Sequence, residues 1–198
     1  RRCQRVFLKA CHGSSASAVV ALEMSRHGVQ AFSTVELVVQ QGEDRIYNRR
    51  PGKWRRGWAE VRPLLEAVCQ QRAQVQQWIP KMGWLGKRID LRVVTIAGRA
   101  RHTVVRMSET PLTNLQLFSV RGSLEAFAEQ HPKALQAAHQ AAEQAARSFP
   151  TALTLGIDVA VSPDGRAWVL EANAFGDHLP QCLLNGRNTY QWQIASLS

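Results

Sequence analysis

The chain has 198 residues, 45% of them apolar and 20% charged, which suits one or two globular domains with an ample core. No apolar run is long enough to span a membrane, and Cys3, Cys11, Cys69 and Cys182 form no C-x-x-C pair, so neither a zinc site nor a disulfide framework is expected and a reducing cytoplasm is. The net charge is +10, and 20 of the 25 basic residues are arginine, whose planar fork suits carboxylate and phosphate.

The first residues are Arg1-Arg2 rather than Met, and no signal-peptide pattern is visible. A fragment is therefore expected, with its N-terminal part and any targeting information lying elsewhere. Arg5 to Ala10, "RVFLKA", reads as a short strand. The small-residue loop "CHGSSASA" follows, then the apolar "VVALEM". Cys11, beside that loop, is expected to be a small buried thiol. Thr34–Gln40 and Asp44–Asn48 flank Gln41-Gly42-Glu43 as a hairpin. Arg49 to Trp58 is the densest basic run, interleaved with Trp54 and Trp58. A solvated loop with two packed tryptophans is preferred there to a nucleic-acid surface, and a groove for an anionic substrate explains the charge equally well.

Val61, Leu64, Leu65, Ala67 and Val68 have helical spacing, with Pro63 expected in the first turn. "VQQWIP" is a short strand stopped by Pro80, and Lys81 to Arg88 a loop. "IDLRVVTIAGRARHTVVRM" reads as a second hairpin turning around Gly98. Pro132 to Phe149 is an Ala-rich helix ended by Pro150, and the chain closes with one more hairpin and an irregular tail. Strands dominate and two main helices pack on them, an α+β sandwich.

Four segments carry weak chemical signals. Gly13, Ser14, Ser15 and Ser17 form a small loop after the strand bearing Lys9 and suit phosphate oxygens, although neither the P-loop nor the dinucleotide fingerprint is present. "QQWIP" offers an extended backbone edge and an apolar wall of the sort an adenine ring needs. Asp90 and Arg92 stand two apart, hence on one strand face. A three-residue turn at Gly98 would set Arg106 opposite Asp90, whereas an even-numbered turn would not. Thr113-Asn114-Leu115, after Pro111, is a loop able to reach a site.

The segment from Thr154 to Asn173, "TLGIDVAVSPDGRAWVLEAN", is the strongest signal. A two-residue turn at Asp164-Gly165 pairs Val161 with Trp168, Val159 with Leu170 and Ile157 with Ala172 on one apolar face. It sets Asp158 opposite Glu171 on the other face, with Asn173 two residues along. Opposed carboxylates repel, so a cation or proton is expected between them, and oxygen ligands suit Mg²⁺ or Mn²⁺. The plainer alternative is an exposed hairpin with scattered acids.

In this order, from Arg5 to about Pro180, these pieces resemble the ATP-grasp superfamily, in particular its RimK-like glutamate-ligase branch. "TNL" and "NAFGDHLP" look closest to one bacterial subgroup of it. The resemblance implies an ATP-grasp fold, antiparallel sheets with packed helices sandwiching ATP. It divides the chain into a small subdomain, 1–80, and a large subdomain, 81–198, without the N-terminal domain and earlier ATP lysine of a full member. It implies Lys9 on the α/β-phosphates, with Gly13, Ser14, Ser15 and Ser17 over the β/γ end. Gln76, Gln77, Trp78 and Ile79 would meet adenine, and Asp90 ribose. Asp158, Glu171 and Asn173 would bind two Mg²⁺ (or Mn²⁺) ions, while Arg92, Arg106 and Asn114 stabilise the transferring phosphoryl group. Two positions depart from the pattern: Gln76 stands where an acid is common and Ala18 where glycine is.

The activity implied is an ATP-dependent carboxylate–amine or carboxylate–thiol ligase passing through an acyl-phosphate. Its partners would be ATP, a small carboxylate or peptide and an amine acceptor. No membrane is expected, a nucleic-acid partner is disfavoured, and a homo-oligomer is compatible with the reading. The alternatives are a nucleotide-binding module without ligase chemistry and, less favoured, a basic nucleic-acid binder.

Overall fold

Alternating apolar and polar residues build two antiparallel sheets, each with one greasy face covered by helix. The computed structural model describes residues 4–11, 18–40, 43–114, 119–174, 179 and 182–197. They fall into two compact units, Arg1–Trp78 with Thr110–Phe118, and Ile79–Glu109 with Ser119–Ser198. None of the described helices is long and apolar enough to cross a membrane.

The first unit holds β1 (Gln4–Ala10), β2 (Val19–Ser25), β3 (Gly28–Gln40), β4 (Glu43–Arg56), α1 (Trp58–Gln70) and β5 (Ala73–Gln77), with strand order β4-β3-β2-β1-β5. Val61, Leu64 and Val68 of α1 bury against Leu8, Val20, Leu22, Val29, Ala31 and Val35. Gly57, at φ 79°, turns the chain straight from β4 into the helix, which therefore starts at Trp58. Pro63 thus lies in the second turn rather than the first, where its missing N–H removes an intrahelical bond.

The basic run is a strand, not a loop. β3 and β4 pair from Gln40↔Glu43 to Gln30↔Arg56, and Arg49 to Gly52 bulge out beside Pro51, which has no N–H to give a ladder. Within it the buried Arg55 donates through Nη2 to Val35 O (2.6 Å), and Arg49, Lys53 and Arg55 all gather on Glu36. Glu36 thus offsets one unit of this charge within the sheet.

The second unit holds β6 (Gly83–Trp84), β7 (Lys87–Ile96), β8 (Arg99–Ser108), β9 (Val120–Gly122), α2 (Leu124–Gln130), α3 (Pro132–Ala146), β10 (Thr154–Val161), β11 (Ala167–Asn173) and α4 (Thr189–Ala195). Its sheet runs β11-β10-β7-β8-β9, with β6 on β7. Ile89, Leu91, Val93, Val105, Met107, Ile157, Val159 and Val161 share the face under α3. Ala134, Ala138, Ala142 and Ala146, at i,i+4 spacing, line the buried side of α3. A Cβ at Gly122 would stand 2.7 Å from Trp84 Cζ3 and 2.8 Å from Met107 Sδ. Gly122→Ala is therefore expected to destabilise by about 1–3 kcal/mol through overpacking, read from the urea midpoint.

Both hairpins of this sheet reach their site register through a bulge: the first register was open in the sequence, the second was expected. The first turns through the two residues Ala97-Gly98, both at positive φ (49° and 73°). An even turn alone would have separated Asp90 from Arg106. A register shift between Val94 and Thr95, with Arg101 as the extra residue on β8, restores Asp90↔Arg106. The β10–β11 turn is a three-residue loop, Pro163-Asp164-Gly165, closed by Ser162 N–H to Arg166 O at 2.8 Å. Val161 accordingly pairs with Ala167, Ala160 with Trp168 and Val159 with Val169, so that of the three expected apolar pairs Val161–Trp168 and Val159–Leu170 are not formed. A bulge at Leu170 then recovers Ile157↔Ala172 and Asp158↔Glu171. Trp168 consequently leaves the greasy face; its Nε1 donates to Ser162 Oγ at 3.2 Å.

Candidate functional site

The polar face of the second unit's sheet gathers six of the expected residues. Cross-strand partners share a face, so Asp158↔Arg92 and Asp90↔Arg106 bring both acids and both arginines together. Glu171 and Asn173 join from β11 opposite Asp158 and Gly156. Arg92 forks onto Asp158, Nε to Oδ1 at 2.5 Å and Nη2 to Oδ2 at 3.2 Å. Arg106 bridges both acids, Nε to Asp90 Oδ1 at 2.7 Å and Nη2 to Asp158 Oδ2 at 3.2 Å. Burial disfavours the Arg106 cation, but Asp90 and then Asp158 outweigh it and hold the guanidinium above its usual range.

Lys81 completes the lattice, and no sequence spacing singled it out. Its Nζ donates to Asp90 Oδ2 at 2.9 Å, with only 8% of its side chain exposed. It reaches the strand face because the next residue is pinned: Met82 N–H donates to Val161 O and Met82 O accepts from Ile89 N–H. Three cations, Lys81, Arg92 and Arg106, therefore face two carboxylates, Asp90 and Asp158. With Glu171 on the same face the charges of these described residues balance, the guanidinium forks largely buried and the Glu171 carboxylate exposed.

Guanidinium groups supply the cation expected beside Asp158. Glu171 is exposed and takes part in no ion pair among the described residues. Asn173 Nδ2 donates to Gly156 O at 3.3 Å, which makes Oδ1 the acceptor atom of the carboxamide. Among the described residues no group of three or more His, Cys, Asp or Glu is placed to hold a metal ion. Two carboxylates and one carboxamide oxygen on a single face nevertheless form a hard-oxygen set suited to Mg²⁺. A cation there would share Asp158 with the arginines.

The first unit presents a second group. Phe7↔Gln76 and Lys9↔Gln74 put Lys9 and Gln76 on one face, with Phe7 and Trp78 in ring contact at 5.0 Å. Phe7 and Trp78 pack with Val19, Ala21, Phe32 and Leu112. Gln77, opposite Val6, turns its side chain to the other face. Asn114 belongs to this unit and is half-buried, while Ile79 opens the second unit. Gly13, Ser14, Ser15, Ser17 and Leu115 lie outside the described residues. Ala18 adopts φ 51°, a conformation that favours glycine, where the resemblance marked glycine as common. Cys11 is exposed, not buried, because it stands at the open end of β1.

A family model described as YheC/D-like ATP-grasp matches residues 1–179. The chain belongs to this ATP-grasp family. The α+β architecture of two antiparallel sheets and four helices is the ATP-grasp fold. Among solved structures, this ATP-grasp chain is similar to a RiPP-associated ATP-grasp ligase of Chryseobacterium gregarium in complex with ADP and a leader and core peptide. The identity is 15% and the TM-score 0.44, over 98% of this chain and 47% of that one. It is also similar to the macrocyclase MdnC of Microcystis aeruginosa MRC bound with precursor peptide MdnA, at 14% identity and TM-score 0.42, over 95% of this chain and 45% of that one. The chain spans about half the length of these two structures. No curated protein matches it in sequence.

Proposed function

We propose that this ATP-grasp chain is the nucleotide-binding part of an ATP- and Mg²⁺-dependent carboxylate–amine or carboxylate–thiol ligase of the RimK-like kind. The observation that carries the reading is the buried Arg92/Arg106 lattice beside the oxygen donors Glu171 and Asn173. In the first step a substrate carboxylate oxygen forms a bond to the γ-phosphorus as the bond to ADP breaks. In the second, the amine or thiol attacks the acyl carbon, phosphate leaves, and the nucleophile's proton passes to solvent.

Charge spreads over the transferring phosphoryl oxygens, and guanidinium groups already fixed in place stabilise it without reorganising. Arg92 and Arg106 have that role, with Asn114 assisting, and Asp90 and Asp158 hold the forks in orientation. A divalent ion on Asp158, Glu171 and Asn173 would neutralise the β/γ-phosphates. Lys9 is assigned to the α/β-phosphates, with Gly13, Ser14, Ser15 and Ser17 around the β/γ end. The adenine contacts are Gln76, Gln77, Trp78 and Ile79. Asp90 is assigned to a ribose hydroxyl. The acid substrate is a small carboxylate or peptide, which suits the arginine-rich composition. Exposed free Cys11 and Cys69 agree with a cytoplasmic setting.

ADP release from the full-length protein, screened against mixed amino acids and peptides with and without Mg²⁺, is the test. Release is expected only when metal, acid and nucleophile are all present. ATP that binds but yields no ADP with any pair would instead identify a nucleotide-binding module without ligase chemistry.

A further inference from the structure

We propose that Arg101, Arg187 and Trp192 form a second oxyanion site, for a carboxylate or phosphate group, near the start of β8 and away from Arg106. Arg187 and Trp192 lie beyond the stretch matched by the family model. The Arg101 guanidinium carbon sits 4.2 Å from the Trp192 ring centre, and that of Arg187 5.4 Å. Two cations thus share one indole. Among the described residues neither arginine has an acidic partner.

The group is built rather than incidental. Leu184 and Arg187 exchange both backbone hydrogen bonds across the two-residue turn Asn185-Gly186, whose φ values of 51° and 73° match a type I′ turn. Trp192 Nε1 donates to Leu184 O at 3.0 Å, and His102 Nε2 to Arg187 O at 3.1 Å. Asn188 and Gln191 close a capping box that starts α4 one residue after Arg187. Every backbone contact of the turn therefore holds Arg187 against the ring.

Among the described residues one donor at this place, Arg101 Nε, is buried with no hydrogen-bond partner. Cation–π contact alone accounts for stacked arginines, but not for a buried donor left unused beside unneutralised charge. An oxyanion supplies the missing acceptor and offsets the repulsion between the two forks, whose geometry suits carboxylate and phosphate. His102 stands four residues from Arg106 on one strand, about 13 Å at strand rise. An oxyanion held here is accordingly a contact separate from the phosphoryl site, of the kind a larger acid substrate would use.

The inference does not depend on ligase activity and is tested without it. Inorganic phosphate and, separately, L-glutamate are titrated at matched ionic strength, following the Trp192 indole N–H resonance, assigned with Trp192→Phe. A saturable shift is expected with at least one of them, phosphate alone marking a phosphate site and glutamate alone a carboxylate site. Affinity should fall about tenfold in Arg101→Gln and in Arg187→Gln, the scale of one lost charge-assisted hydrogen bond. Arg187→Lys, which keeps charge without the fork, should fall between. Arg187 is exposed, so its variants carry the test even if Arg101→Gln unfolds. No saturable shift with either probe overturns the proposal. So does a shift that survives both glutamine variants, or one lost in Arg92→Gln, which would put the anion in the phosphoryl site.

Discussion

Arg106→Gln is expected to destabilise the protein by about 3–5 kcal/mol, the usual result of removing one partner from a buried charge network. Arg106 is 7% exposed and bridges two carboxylates that are themselves 1% and 8% exposed, Asp90 and Asp158. Glutamine would take one charge-assisted bond from Asp90 and one from Asp158. Arg106→Lys keeps the charge but cannot span both acids, so a smaller loss is expected. Urea unfolding of the three proteins measures this ordering. A glutamine variant within about 1 kcal/mol of the parent would show that the lattice is solvated and not a buried network.

Substitution on the neighbouring strand separates binding from stability. Glu171→Gln should weaken Mg²⁺-dependent ATP binding at least about tenfold, as for loss of a charged ligand contact, and leave the unfolding midpoint unchanged. Glu171 is exposed and, among the described residues, ties down no cation, so its charge is not expected to support the fold. Asp158→Asn should impair both properties, because Arg92 and Arg106 lose their shared carboxylate. Calorimetric titration of ATP with and without Mg²⁺, beside urea melts, distinguishes the two effects. Unchanged affinity in both variants would remove Asp158 and Glu171 from the nucleotide site. Equal destabilisation of both would show that Glu171 is structural.

Strand parity made the charged face legible. Asp90 and Arg92, like Glu171 and Asn173, share a side because residues two apart on a strand do, whereas the place of Arg106 depended on a turn length the sequence left open. Turn geometry was less legible: the two-residue turn expected at Asp164-Gly165 is a three-residue loop, and Asp158 still meets Glu171 only because Leu170 bulges. Lys81 could not be read at all. Its place beside Asp90 comes from Met82 bonding to both Val161 and Ile89, contacts far apart in sequence. Arg49 to Trp58 read as a loop because charge and Pro51 obscure the alternation, yet β3 pairs with this stretch around a bulge. The tail expected to be irregular contains α4, signalled by Asn188 and Gln191 at capping-box spacing, a cue too short to stand out without a longer apolar period.

The paired irregularities at Arg101 and Leu170 have an evolutionary consequence. Each cancels the phase offset of its own turn before the strand reaches the charged face. Loop length and site geometry are thereby uncoupled: a loop can gain or lose a residue, and a compensating bulge can appear or vanish, while arginine and aspartate remain in step. Sequence drift would then be concentrated at the hairpin tips, and the face between them would stay fixed.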